Sequence, residues 1–169
     1  DRNVLVCMSD GMFRSMNTLE GYINVKDFGA KGDGITDDTI AIQKAIDSAQ
    51  PGQTVFFPNG KYVIENVTLR SYVSLKGISQ VDTMDSTMPS STLVGKNPLV
   101  SNGLIFPSWC KMMSISNLTF TDFNKAMTTD VSGSVQYDKL KDLSFIHNLV
   151  GMNLRGSNFF IENIYACSQ

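Results

Sequence analysis

The sequence predicts an all-β protein, a parallel β-helix that is closed at one end by a short α-helix. One observation is a strand-like segment that recurs, since residues 115–120 align with residues 140–145 at a step of 25, and residues 161–165 repeat the pattern. Another is a helix-like segment that comes before the first short strands. Strands that recur without intervening helices are typical of a solenoid, whose coils pair in parallel at about 4.8 Å.

The amino-acid composition limits the classes of partner that the protein is expected to bind. The 169 residues are 42% hydrophobic and 18% charged, which fits one folded domain. A formal net charge of -2 gives no field that would gather nucleic acid, so no nucleic-acid partner is expected. No apolar stretch approaches the roughly 20 residues that span a bilayer, so no membrane insertion is expected. Three cysteines at irregular spacing match neither a disulfide framework nor a metal site, and we expect no metal or cofactor.

The chain divides into a leader and a repetitive domain. Residues 1–20 show no period and are interpreted as a linker or attachment segment. Residues 21–169 are interpreted as the N-terminal portion of a β-helix domain, with coils from about residue 54 onward. Because the sequence stops inside a strand pattern without a capping element, we expect the domain to continue beyond Gln169.

A capping helix is predicted over about residues 37–49. Thr36, Asp37 and Asp38 offer side-chain oxygens to the free amides of a helix start. Apolar residues then recur at helical spacing, and Pro51-Gly52 provides an end signal. The amphipathic pattern predicts that one helix face covers the core.

Stacked coils turn each repeat position into a column. The alignment predicts an inward apolar column of Val67, Leu118, Leu143 and Ile164. It also predicts a polar column of Asn66, Asn117, Asp142 and Asn163. Because Asn and Asp tolerate left-handed backbone geometry, we interpret the polar column as a ladder of bends. This interpretation is favoured over catalysis for Asp142 and over glycosylation for Asn66 and Asn117.

Alternation along the third strand of each coil predicts outward residues. Asn153 and Arg155 are expected to point outward, with Thr128 below Asn153 and Asp130 below Arg155 on the preceding coil. A plain surface ion pair is the favoured interpretation of Asp130 and Arg155. The alternative is a groove that binds acidic or hydroxyl-rich sugars, for which a planar guanidinium is a suitable partner.

Asp122 and His147 form a second candidate pair, 25 residues apart. A carboxylate beside a histidine can perform acid–base chemistry near neutral pH. An ordinary surface turn is the favoured interpretation. Trp109, Tyr137 and Phe123 could stack on sugar rings, although core positions are favoured for aromatic residues in a β-rich protein.

Residues 23–46 read INVKDFGAKGDGITDDTIAIQKAI, and residues 55–62 read VFFPNGKY. This run resembles the opening signature of the pectate-lyase-like superfamily. The resemblance implies a right-handed β-helix whose N-terminal helix closes the open end. Members with this opening include polygalacturonase-like hydrolases, fungal β-glucanases, and bacteriophage tailspikes and appendages. The paired-Asp, Gly-His-Gly and Arg-x-Lys motifs of polygalacturonases are not found in this sequence, so no catalytic residue is carried over.

Three functions are weighed from this resemblance. The first hypothesis is a phage tailspike or appendage on the virion, a homotrimer that binds a host cell-surface polysaccharide, with degradation of that polysaccharide left open. The second is a secreted glycoside hydrolase or polysaccharide lyase that acts on cell-wall polysaccharide. The third is a non-catalytic structural β-helix of a virion or an adhesin. The sequence leaves the question of enzymatic activity open.

Overall fold

The computed structural model describes residues 5–7, 13–15, 22–78, 90–130, 134–136 and 138–167. Strands β1 (Leu5–Cys7) and β2 (Phe13–Ser15) pair antiparallel within the predicted linker. The rest of that linker lies outside the described residues.

From Tyr22 onward the chain is built from short strands, a 3-10 helix at Val25–Phe28 and the helix α1 at Thr39–Ser48. The strands are β3 (Tyr22–Asn24), β4 (Asp33–Asp37), β5 (Thr54–Phe56), β6 (Gly60–Ile64), β7 (Val67–Thr68), β8 (Ser74–Lys76), β9 (Ser91–Gly95), β10 (Asn102–Phe106), β11 (Cys110–Lys111), β12 (Ser114–Thr121), β13 (Lys125–Thr129), β14 (Val135–Gln136), β15 (Lys139–Ile146), β16 (Val150–Asn153), β17 (Gly156–Ser157) and β18 (Phe160–Cys167).

Three parallel sheets wrap around one core as a right-handed β-helix. The first sheet contains β3, β5 and β8 on one side of a bend, β4, β6 and β9 on the other, and the long strands β12, β15 and β18 across both. The second sheet is β7, β10, β13 and β16, and the third is β11, β14 and β17. Ile115 pairs with Leu140, and Leu140 pairs with Ile161, which confirms the predicted repeat.

The bend ladder is confirmed in the long strands. Asn117, Asp142 and Asn163 have φ angles of 58, 53 and 52°, in the left-handed region that Asn and Asp tolerate. The Asn163 Nδ2 donates to Asp142 Oδ1 at 2.8 Å. Leu118, Leu143 and Ile164 then stack in register, as predicted.

The placement of Asn66 and Val67 in that ladder was wrong. Val67 pairs with Leu104, and Leu104 with Met127, so Val67 belongs to the second sheet and Asn66 to the turn before it. Asn66 has a φ of 54° and accepts a hydrogen bond from Asn102 Nδ2 at 3.4 Å. Asn residues with positive φ occur at two different corners of the β-helix. The local sequence pattern therefore does not show to which corner a given Asn belongs.

Helix α1 confirms the predicted cap but starts differently. Asp37 Oδ1 accepts from the Thr39 amide at 3.0 Å. Asp38 makes no capping bond to the helix; its buried carboxylate accepts from the Lys31 and Gly32 amides at 2.7 and 2.9 Å. The expected capping role of Asp38 was therefore wrong, because its carboxylate instead bonds to two amides of the preceding glycine turn.

Side chains of the cap replace the missing neighbour coil. Gln43 pairs with both backbone groups of Thr68, donating to its carbonyl at 3.1 Å and accepting from its amide at 2.9 Å. Arg70 Nη1 donates to the Asp47 carbonyl at 2.5 Å near the helix end. Ile42 and Ile46 are fully buried below. The helix thus covers the core and satisfies the strand edge.

Candidate functional site

The corner between the second and third sheets carries the exposed and partly exposed side chains that best fit a ligand site. We call it the Trp109 corner and define it by Ser108, Trp109, Asp130, Asn153 and Arg155. It begins with a tight turn in which the Cys110 amide donates to the Pro107 carbonyl at 3.2 Å. Three successive coils contribute to it, because β10, β13 and β16 stack in that order.

Trp109 occupies an unfavourable position on this corner. Its side chain is 68% exposed, although indole is among the largest apolar groups that a fold can bury. Its φ is 63°, and the left-handed region costs a non-glycine residue roughly 1–2 kcal/mol. Folding gains from neither feature. Tyr72 and Met112 are also exposed at a positive φ, so the degree of indole exposure, and not the backbone angle, distinguishes Trp109 as a candidate binding group.

Asp130 extends the corner on the next coil. Its amide donates to the Phe106 carbonyl at 3.0 Å, which fixes the backbone at the end of β13. The Ser108 hydroxyl lies 3.3 Å from each carboxylate oxygen of Asp130. A hydroxyl and a carboxylate from successive coils are therefore held together at the residue that precedes Trp109.

Asn153 and Arg155 occupy the third coil. Both are exposed, while Met152 and Leu154 pack against the core, as the predicted alternation requires. Thr128 pairs with Asn153, as expected. Thr128 is only 7% exposed, and its hydroxyl donates to the Thr129 carbonyl at 3.2 Å. The accessible polar groups of this column are therefore those of Asn153 and Arg155.

Asp122 and His147 lie on a different corner, between the first and second sheets. The pairing of Thr121 with Ile146 places them on successive coils, and their φ angles are 61 and 54°. Asp122 Oδ2 accepts from the Thr121 hydroxyl at 3.0 Å. In the part of the chain that the structure describes, no hydrogen bond or ion pair joins Asp122 to His147. Their acid–base role stays a prediction.

The three aromatic candidates for sugar stacking differ in their exposure to solvent and in whether the structure describes them. Phe123 is fully buried, Trp109 is exposed, and Tyr137 lies outside the described residues. The repeat contained a signal for Trp109, because the pairing of Cys110 with Val135 aligns Trp109 with Ser134 in a turn.

A small cavity of about 130 Å³ lies beside the last two long strands, lined by Phe145, Asn148, Gly151, Ala166 and Cys167. The Asn148 amide donates to the Phe120 carbonyl at 2.9 Å and accepts from the Phe123 amide at 3.0 Å. The polar groups of the Asn148 side chain are therefore already hydrogen-bonded within the protein. The cavity offers a ligand less polar chemistry than the Trp109 corner.

Within the described ranges, no three side chains of His, Cys, Asp or Glu group closely enough to hold a metal ion. None of the helices in those same ranges has the length and apolar character to cross a membrane.

The parallel sheets, the ladder and the sealing helix define a pectate-lyase-like β-helix protein. Residues 22–153 match the family described as rhamnogalacturonase A/epimerase, pectate lyase-like, and the chain belongs to that family.

Relatives match mainly through part of the chain. Alginate lyase 7 of Azotobacter vinelandii is 68% identical over 41 residues, which cover 23% of this chain and 5% of the relative. Mannuronan C5-epimerase AlgE1 of the same organism is 44% identical over 71 residues, covering 36% and 5%. Plasmin and fibronectin-binding protein A of Streptococcus pneumoniae is 29% identical over 135 residues, covering 78% and 15%. The chain thus spans a small part of each relative.

Solved structures share the fold at low identity. Protein ORF18 of Geobacillus virus E2 superposes with a TM-score of 0.57 at 21% identity, covering 84% of this chain and 33% of that chain. The S. pneumoniae surface adhesin PfbA gives 0.63 at 21% identity, covering 88% and 39%. The A-module of mannuronan C-5 epimerase AlgE4 of A. vinelandii gives 0.59 at 17% identity, covering 86% and 49%.

Proposed function

We propose that this chain is the N-terminal portion of a phage tailspike or appendage, which binds a host cell-surface polysaccharide at the Trp109 corner. The observation that carries the proposal is the strained and exposed Trp109 beside Asp130, one coil from Arg155. In this proposal the protein is a homotrimer on the virion, and degradation of the polysaccharide is left open.

The chemistry of the corner suits a sugar chain. An indole face packs on the apolar C–H face of a pyranose ring, as aromatic rings do on other apolar surfaces. Asp130 accepts hydrogen bonds from hydroxyls, and Asn153 both accepts and donates. The planar Arg155 guanidinium donates to hydroxyls and pairs with a uronate carboxylate in two parallel bonds. Because coils rise by about 4.8 Å, the corner presents these groups at successive levels along an extended chain.

The comparisons support the class of ligand and the location of the protein. Alginate lyase 7 and mannuronan C5-epimerase AlgE1 are named for polysaccharides. A viral protein and a surface adhesin share the fold, which favours a virion or another extracellular location.

A specific observation favours the second candidate, a secreted hydrolase or lyase, since Asp122 and His147 do lie on successive coils. The adhesin likewise favours a structural β-helix without catalysis.

The binding site is tested by Trp109→Asn, with Met112→Asn as its matched control. Met112 has a φ of 56° and is 59% exposed on a different corner. Asn relieves backbone strain at both positions, so both variants are expected to fold at least as stably as the parent. The parent is screened on an array of bacterial surface polysaccharides and alginate fragments.

We expect the parent to bind at least one glycan. Trp109→Asn should weaken that binding by about tenfold or more, because the apolar contact between the indole and the sugar ring is lost and a loss of about 1.4 kcal/mol is tenfold in affinity. Met112→Asn should bind as the parent does. An array without any bound glycan, or equal binding by Trp109→Asn and the parent, would contradict the proposal.

A further inference from the structure

The outer face of the first sheet differs in character from the Trp109 corner. Ile115 is fully buried between Ser114 and Ser116, so the flanking positions of each coil point outward. The strand pairing stacks these positions into two columns. One contains Tyr22, Thr54, Ser74, Ser114, Lys139 and Phe160, and the other contains Asn24, Phe56, Lys76, Ser116, Lys141 and Glu162. We call this surface the lysine face.

Charge on the lysine face is positive although the chain has a formal net charge of -2. Lys76, Lys139 and Lys141 are opposed within the two columns by a single acid, Glu162. The Glu162 carboxylate lies 3.3 Å from Lys141 Nζ and 3.8 Å from Lys139 Nζ. These ion pairs are about half exposed, and exposed pairs contribute only about 0–1 kcal/mol. An anionic ligand can therefore displace Glu162 at little cost.

The spacing of the lysines suits a linear polymer. Lys76 pairs with Ser116, and Ser116 with Lys141, so the two lysines are two coils apart, or about 10 Å along the helix axis. In an extended polyuronate, alternate sugars turn their carboxylates to the same side, and two sugar lengths are close to two coil heights. The Ser116 hydroxyl lies between the lysines, where it can bond to the intervening sugar.

An aromatic pair lies at the N-terminal end of the face. The rings of Tyr22 and Phe56 meet edge to face, with centroids 6.1 Å apart. Lys76 Nζ lies 5.4 Å from the Tyr22 ring centroid and donates to the Tyr22 hydroxyl at 3.3 Å. These contacts hold the ammonium group in place before a ligand arrives, which reduces the entropy lost on binding. The ring pair can also pack against the last sugar of a bound chain.

We propose that the lysine face is a second glycan-binding surface, which binds an anionic, uronate-type polysaccharide along the helix axis. It lies on a different sheet from the Trp109 corner and shares no residue with it. Cations and hydroxyls at coil intervals provide the recognition, so affinity falls as salt screens the charges. The surface would hold the polymer while the Trp109 corner binds its own segment.

Lysine footprinting tests this surface on the intact chain. The protein is acetylated with limiting reagent, with and without oligomannuronate, and each lysine is quantified by mass spectrometry. We expect Lys76, Lys139 and Lys141 to be protected at least threefold, while the exposed Lys31 and Lys44 react equally in both samples. Neutral dextran fragments should protect none of them. Equal reactivity at the three lysines with and without oligomannuronate would overturn the proposal.

Two sets of variants separate this surface from the Trp109 corner. Lys76→Gln with Lys141→Gln should weaken oligomannuronate binding about tenfold, whereas the charge-matched Lys31→Gln with Lys44→Gln should not. Glu162→Gln should strengthen it. In the Trp109→Asn variant the footprint on the three lysines should persist, so that failure of one site is distinguishable from failure of the other. A footprint lost in Trp109→Asn would assign the protection to the corner and overturn a separate lysine face.

Discussion

Asp138 lies inside the β-helix, where its carboxyl group is only 1% exposed. Its Oδ1 accepts from the Met113 amide at 2.9 Å, while its buried Oδ2 has no partner in the described residues. Burial raises the pKa of Asp138 to about 6, and the Met113 amide opposes that shift only in part. Burial, and then the Asp138 charge, also raise the pKa of the Cys110 thiol to about 11, so this cysteine is an unreactive core residue.

The raised pKa of Asp138 predicts a pH-dependent stability. The folded state keeps the proton to about pH 6, whereas the unfolded state loses it near the ordinary value of 3.8. The tighter proton binding of Asp138 therefore stabilises the folded state fully below pH 4. This contribution, up to about 3 kcal/mol of the free energy of unfolding, is lost as pH rises through 6. Asp33 and Asp37 have lowered pKa values of about 2, so their effects fall at lower pH.

Urea unfolding at pH 4.5 and pH 7.5 measures this effect. The parent should be more stable at pH 4.5, and Asp138→Asn should remove most of the difference because amides do not titrate. If Asp138→Asn kept the parent's full pH dependence, another group would have to be responsible.

At the scale of secondary-structure elements, the capping helix α1 takes the place that a further coil would occupy. Helix α1 covers the first coil with buried Ile42 and Ile46, while Gln43 bonds to the β7 backbone as a neighbouring strand would. The long strands bend at Asn117 and Asp142 without losing register. Each element thus satisfies backbone groups that a solenoid end or corner would leave unpaired.

Removal of the Gln43 amide should destabilise the cap. Gln43→Ala leaves both backbone groups of Thr68 to water, and we expect a loss of about 1–2 kcal/mol for two partly exposed hydrogen bonds. Lys44→Ala, at the next and exposed position, should change the free energy of unfolding by less than about 0.5 kcal/mol. Chemical denaturation compares the two, and equal losses would show that the Gln43 contacts contribute nothing specific.

At the scale of the whole molecule, the corner between the first and second sheets exposes apolar side chains. Leu99 and Leu149 are 73 and 64% exposed, and Val100 lies beside Leu99. Backbone bonds from Asn124 to Ser101 and from Leu149 to Phe123 place Leu99 and Leu149 on the same corner, two coils apart. Exposed apolar side chains on the same corner are typical of association surfaces, which supports the proposed homotrimer.

Light scattering during size-exclusion chromatography tests the assembly. We expect a mass three times the 18.6 kDa of one chain. Leu149→Asp should release monomers, because a charge would then be buried in the interface. Lys44→Asp, on the outer surface of α1, is the control and should remain trimeric. A monomeric parent would favour the secreted enzyme over the appendage.

The sequence alone determined the β-helix, the 25-residue step from β12 to β15, the helical cap and the ladder at Asn117, Asp142 and Asn163. These features repeat or depend on neighbouring residues, so they leave a local pattern. Only the tertiary structure decided that Asn66 turns a different corner, that Asp38 binds the glycine turn, and that Asp138 is buried. It also distinguished the exposed Trp109 from the buried Phe123. Those outcomes depend on which coil lies above or below a residue, and the burial and partners of a side chain in a solenoid come mainly from those coils.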